Sequence, residues 1–128
     1  MISIRNDMVV TFDVDDTLFF WNSTPEQLEK DGIPVKWVDS LGYLQETLLV
    51  PHSVHVQQLK KHKERGHLIL VWSAGGSLWA EAAVKALGLE KYVDYTLCKS
   101  HWAYDDLPPE EYMPKSKWMK DGDRTLKD

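Results

Sequence analysis

The densest chemistry in the chain lies at residues 9–18, which read Val-Val-Thr-Phe-Asp-Val-Asp-Asp-Thr-Leu. An apolar run leads directly into three carboxylates, Asp13, Asp15 and Asp16, and Thr17 closes the group. Acids crowded at the end of a buried strand repel one another, and a cation sharing the site with a phosphate-like group makes them tolerable. In an extended chain, residues two apart point to the same side, so Asp13 and Asp15 can face one reacting centre. One then serves as nucleophile, and the other protonates the leaving oxygen and later activates water. The plainer alternative is a solvated loop whose acids cap a turn.

A second polar signal follows another apolar run. Residues 67–72, His-Leu-Ile-Leu-Val-Trp, give way to Ser73-Ala74-Gly75-Gly76. A hydroxyl, the backbone amides of a glycine turn such as that of Ala74, and the N-terminus of a following helix together make an anion site. Such turns are more often simple connectors, and the order after the aspartate cluster is what gives this one weight.

The elements that must position these groups can be read from hydropathy. Residues 8–14 and 67–72 are short, apolar and β-branched, which predicts buried strands. Residues 19–50 are punctuated by Pro25, Gly32, Pro34 and Gly42 and read as an irregular excursion with at most short helices or a hairpin. Pro51 opens a predicted helix over 51–64, with Val54 and Leu59 on its apolar side and Gly66 ending it. Ser77 is the expected N-cap of a helix running to Leu87, with Leu78, Ala82, Ala83, Ala86 and Leu87 inward and Gly88 as its stop. A weaker strand is predicted over 92–97 and a very short fourth one over 102–104, ending at Asp105-Asp106. Strands apolar on both faces that alternate with helices imply a parallel sheet covered on each side, whose ligands gather beyond the strands' carboxyl ends. Asp13, Ser73 and Asp105 fall at that edge. The fold class expected is therefore α/β, three-layer and Rossmann-like, with a small insert over 19–50 and an extension over 107–128 on a single domain.

The pattern Asp-x-Asp-x-Thr, followed in order by the serine turn, resembles the haloacid dehalogenase superfamily of phosphohydrolases. The resemblance covers about residues 9–109. It implies that Asp13 attacks phosphorus to give an aspartyl-phosphate and that Asp15 is the general acid/base. Members acting as dehalogenases usually lack an acid at the second position, so Asp15 points to phosphoryl transfer. The resemblance further implies that Ser73 and Ala74 bind phosphoryl oxygens and that Lys99 neutralises charge between nucleophile and phosphate, with Lys115 and Lys117 as alternatives. It also implies Mg²⁺ as cofactor, held by Asp13, the Asp15 backbone carbonyl and one of Asp105 or Asp106, with Asp121 or Asp123 as rivals. Magnesium suits such a set, since it takes hard oxygen ligands, few carboxylates and retained waters. Only Ser100 and His101 separate Lys99 from the expected fourth strand, far short of a parallel crossover. Either the third strand ends low or the lysine is not at its top. The excursion over 19–50 holds Trp21, Trp37 and Tyr43 where the family carries a flap or cap, and it is too short for a large one.

Bulk properties narrow the classes. The chain has 128 residues, enough for one domain with a core of its own. Its single cysteine, Cys98, cannot pair internally, and no apolar leader or spanning segment is visible, which together predict a cytoplasmic protein. A net charge of −5 disfavours a non-specific nucleic-acid binder. Six tryptophans serve either core packing or a stacking surface. The five histidines lack zinc spacing and read as a solvated helix face. The expected partner is a phosphorylated small molecule or nucleotide. A polynucleotide-end phosphatase and a phosphate-binding relative without turnover are the rivals. A receiver domain is disfavoured, because no aspartate ends the second or third strand.

Overall fold

The computed structural model describes residues 8–113. The chain is mixed α/β. Three parallel strands, β1 (Val9–Asp13), β5 (Leu68–Ser73) and β6 (Tyr95–Cys98), form one sheet in the order β1-β5-β6. Three antiparallel strands, β2 (Phe19–Phe20), β3 (Ile33–Val38) and β4 (Leu44–Pro51), form another in the order β2-β4-β3. Helices α1 (Pro25–Asp31), α2 (Ser53–Glu64), α3 (Ser77–Ala86) and α4 (Pro109–Tyr112) complete the described elements.

The parallel register sets the level of every strand tip. Asp13 lies opposite Trp72, and Ser73 opposite Cys98. β6 begins at Tyr95, later than hydropathy suggests, because Tyr92 and Val93 bond back to the Leu89 carbonyl in a turn beyond α3. The expected fourth strand over 102–104 is not one. Trp102 and Tyr104 stand 76% and 91% exposed, and no strand among the described residues covers them. Among the described residues β1 therefore pairs with β5 alone.

The excursion over 19–50 is more regular than its punctuation implies. Thr24 and Gln27 form a reciprocal capping box at the start of α1, with Pro25 in its first turn. β3 and β4 are a hairpin, and Pro34 is accommodated because β3 is, among the described residues, an edge strand bonded to β4 only. Pro51 ends β4 instead of opening α2. The N-cap of α2 is His52, whose ring accepts the His55 amide. His52 and His55 are buried and stacked, with ring centroids 3.9 Å apart, so they are not part of a solvated face. The inward side of α2 is His55 and Leu59, while Val54 is exposed.

Helix α3 packs against β3, β5 and β6 and so joins the two sheets. Its buried side is Trp79, Ala80, Ala82, Ala83 and Val84, and Leu78 points out. Ser77 is its first residue, and Gly76 is its N-cap. Small alanines let the helix sit close to strands whose inward residues are Ile69 and Val71. Leu89 closes the core beyond the Gly88 turn. The Asp94 carboxylate ties three segments. It accepts two hydrogen bonds from Lys63 Nζ (2.8 and 3.0 Å) at the end of α2 and one from the Ile69 amide (2.8 Å).

Truncating Leu59, which is fully buried between α2 and the sheet, leaves a cavity. Leu59→Ala is expected to lower unfolding free energy by about 2–5 kcal/mol, read as a shift in the denaturant midpoint at constant slope. The Lys63 hydrogen bond, with the Ile69 amide, holds the Asp94 carboxyl below its ordinary value. A depressed folded pKa stabilises above the unfolded value of 3.8 and loses that contribution as pH falls through the folded one. Asp94→Asn is expected to lower Tm at pH 7, and the gap from wild type closes in strong acid.

Candidate functional site

The site is built on the carboxyl edge of the parallel sheet. Leaving β1, the chain turns sharply, and the Val14 carbonyl accepts the amides of Thr17, Leu18 and Phe19. Asp16 takes a left-handed conformation (φ 58°) to make this turn, and its Oδ1 accepts the Trp21 amide at 3.0 Å. Asp is one of the few non-glycine residues that occupy this region readily. The start of α2 braces the turn from the other side. The His52 amide donates to the Leu18 carbonyl, and His55 Nδ1 lies 2.8 Å from the Thr17 carbonyl.

Asp13 ends β1 with its side chain 29% exposed. Thr17 Oγ1 donates to Asp13 Oδ2 at 3.3 Å, and Lys99 Nζ lies 3.9 Å from Asp13 Oδ1. Burial pushes the Asp13 carboxyl above its ordinary value, and the nearby Lys99 charge and Thr17 hydroxyl offset this only in part. Lys99 reaches the site because the Lys99 amide donates to the Ser73 carbonyl at 2.9 Å, extending the β5–β6 ladder by one step. The lysine is thus at the top of the third parallel strand, and the crossover difficulty disappears with the absent fourth strand.

Asp15 is held by three donors from three separate places. Ser73 Oγ donates to Oδ2 at 3.0 Å, while Trp21 Nε1 and Trp79 Nε1 both donate to Oδ1, at 2.7 and 3.1 Å. Ser73 is fully buried, and its oxygen also accepts the Gly75 amide at 3.0 Å. A Cβ on Gly75 would lie 3.3 Å from that oxygen and 3.2 Å from Trp79 Cδ1, so the turn fits closely under the indole. Gly76, at φ 107° and ψ 168°, occupies a conformation almost confined to glycine and swings the chain into α3. Ala74 is exposed at the turn.

The two indoles belong to a wider feature. A cleft of about 600 Å³ opens beside Asp15, between the β3–β4 hairpin and the start of α3, and Trp21, Trp37 and Trp79 are among its lining residues. Trp37 meets Trp79 edge to face at 4.8 Å, and Trp21 lies 6.0 Å from Trp79. Tyr43, grouped with these tryptophans by sequence position, is exposed at the hairpin turn and does not line the cleft. Trp79 escaped sequence reasoning. The signal for it is position, since the first turn of a helix that follows a strand-end turn lies over the strand tips.

Asp105 and Asp106 lie in an exposed segment before α4, and Asp105 Oδ1 accepts the Leu107 amide at 2.9 Å. No group of three acidic, histidine or cysteine side chains suited to a metal ion occurs among the described residues. As a half-buried carboxylate facing a cation, Asp13 has the donor chemistry that magnesium takes. The second acid expected from Asp105 or Asp106 is not brought into such a group with it. Lys115, Lys117, Asp121 and Asp123 lie outside the described residues. Comparison of the chain with protein-family models, curated proteins and solved structures finds no match.

The raised pKa of Asp13 carries a sign. Below the unfolded value of 3.8 the group is protonated in both states and costs nothing. As pH rises through the folded value, ionising the half-buried carboxyl destabilises the fold. Asp13→Asn, which keeps an acceptor for Thr17, is expected to raise Tm at pH 7, with the gain vanishing below about pH 4.

Proposed function

We propose that the protein is a phosphomonoester hydrolase of the haloacid dehalogenase type, working through an aspartyl-phosphate on Asp13. The observation that carries this reading is the convergence of Asp13, Asp15, Ser73 and Lys99 at one sheet edge, from three strands far apart in sequence. The parallel order β1-β5-β6 with packed helices supports a three-layer, Rossmann-like domain as its frame.

In this reading Asp13 Oδ1 attacks phosphorus and the phosphorus–oxygen bond to the alcohol breaks. Asp15 gives its proton to the departing oxygen, then takes one from the water that attacks the aspartyl-phosphate. Lys99 balances the charge that Asp13 and the phosphoryl oxygens bring together, and the Ala74 amide meets an oxygen from the turn. Ser73 orients Asp15 while that group is ionised. Once Asp15 carries a proton it accepts fewer hydrogen bonds, and the Ser73 hydroxyl is free to turn to a phosphoryl oxygen. Asp13 and the Asp15 backbone carbonyl would hold magnesium, which would supply charge neutralisation between carboxylate and phosphate dianion. The remaining acidic ligand is proposed to come from Asp105 or Asp106.

Phosphate release from a generic aryl phosphate is the direct test. Wild type with Mg²⁺ is expected to turn over, chelation with EDTA to stop it, and Asp13→Asn and Asp15→Asn each to lose at least about a hundredfold in kcat. Equal release by all three proteins removes the catalytic claim.

A further inference from the structure

The cleft beside Asp15 has a composition that the phosphoryl chemistry does not require. The group beside Asp15 is the one whose oxygen leaves, so in the proposed reaction this cleft houses the alcohol and not the phosphate. The Gly75–Ser77 backbone, contiguous with Ser73, forms its phosphoryl end. Trp37, Val38, Asp39 and Ser40 form the far end, on the hairpin.

Two properties of that lining select a ligand. The first is flat aromatic surface. Trp79 is buried as a hub, while Trp21, 46% exposed, and half-buried Trp37 flank it with surface still open. Large exposed indoles lining a concave site are stacking platforms for planar rings. The second is charge. Among the described lining residues the only ionisable side chains are Asp15 and Asp39, with no lysine, arginine or histidine beside them. Asp39 is fixed in place, with Oδ1 accepting the Leu41 and Tyr43 amides and Oδ2 accepting from Gln45, each at 2.9 or 3.0 Å. Those bonds, the Tyr43 amide foremost, hold its carboxyl below the ordinary value, so it remains anionic at neutral pH. An anionic group on the alcohol meets a carboxylate there and finds no cation among the described lining residues. The volume is in the range of small-molecule pockets.

We infer that the substrate is a nucleoside monophosphate, its uncharged nucleoside ring stacked on Trp21 and Trp37, and that a second anionic group on the nucleoside is rejected. The inference rests on the hydrolase reading for where phosphate sits, but the cleft's affinity for a neutral ring system does not require turnover.

The experiment follows the tryptophan indole N–H signals of the ¹⁵N-labelled full chain by NMR while adenosine is added. Phosphate release is measured from adenosine 5′-monophosphate and adenosine 3′,5′-bisphosphate. Adenosine is expected to shift the Trp21, Trp37 and Trp79 signals saturably, and the monophosphate to exceed the bisphosphate at least about tenfold in kcat/KM. Trp37→Ala is expected to weaken adenosine binding about tenfold. Should that variant not fold, the wild-type titration decides. If adenosine leaves the indole signals unmoved, or the bisphosphate is cleaved as well as the monophosphate, the inference is overturned. If adenosine shifts the signals while no phosphate is released from any ester, the nucleoside cleft stands and the hydrolase reading falls.

Discussion

The Asp15 carboxylate takes hydrogen bonds from Ser73 at the tip of β5, Trp79 in the first turn of α3 and Trp21 just beyond β2. Bonds to an ionised acceptor are shorter and stronger than neutral ones, so each donor's element is drawn to a common point. That point fixes the rest. The turn over residues 14–19 must deliver Asp15 to it, which explains the left-handed Asp16 and the three amides sharing the Val14 carbonyl. The serine turn must stay tight beneath the indole, which leaves no spare room at Gly75. The antiparallel sheet must remain docked on α3, because the cleft lies between its hairpin and that helix.

Asp13 stands in the opposite condition. It has the Thr17 hydroxyl, the Val14 amide and a lysine 3.9 Å away, and burial still disfavours its charge. Two acids two residues apart are therefore unlike in environment, one saturated with donors and one under-served. A half-buried charge of this kind weakens the fold, and the cost is carried by the packed core around Leu59, Ile69, Val71 and Ala83.

What could be read from the residues divides along physical lines. β1 and β5 are apolar on both faces, and the tips carrying Asp13 and Ser73 follow from that alone. The level of Lys99 depends on the β5–β6 register, which hydropathy does not encode, yet chain order placed the lysine after the right strand. The hairpin was hidden because Pro34 and Gly42 suggest irregular chain, while an edge strand tolerates the one and a turn uses the other. Pro51 misleads similarly, since a strand's last residue suits proline as well as a helix's first turn does. The buried pair His52 and His55 was invisible because nothing local shows that their polar atoms meet each other and the Thr17 carbonyl. Aromatic strand character at Trp102 and Tyr104 was propensity without a partner strand to pair with.

The β3–β4 hairpin carries Trp37, Val38, Asp39 and Ser40 on one side of its bend, and none of these belongs to the parallel strands that hold Asp13, Ser73 and Lys99. In the proposed reading, recognition and reactivity are thus written on separable stretches of polypeptide. Insertions or deletions at the bend over residues 39–43 can reshape what the molecule admits while the sheet edge stays intact, giving the scaffold a modular route to new ligands.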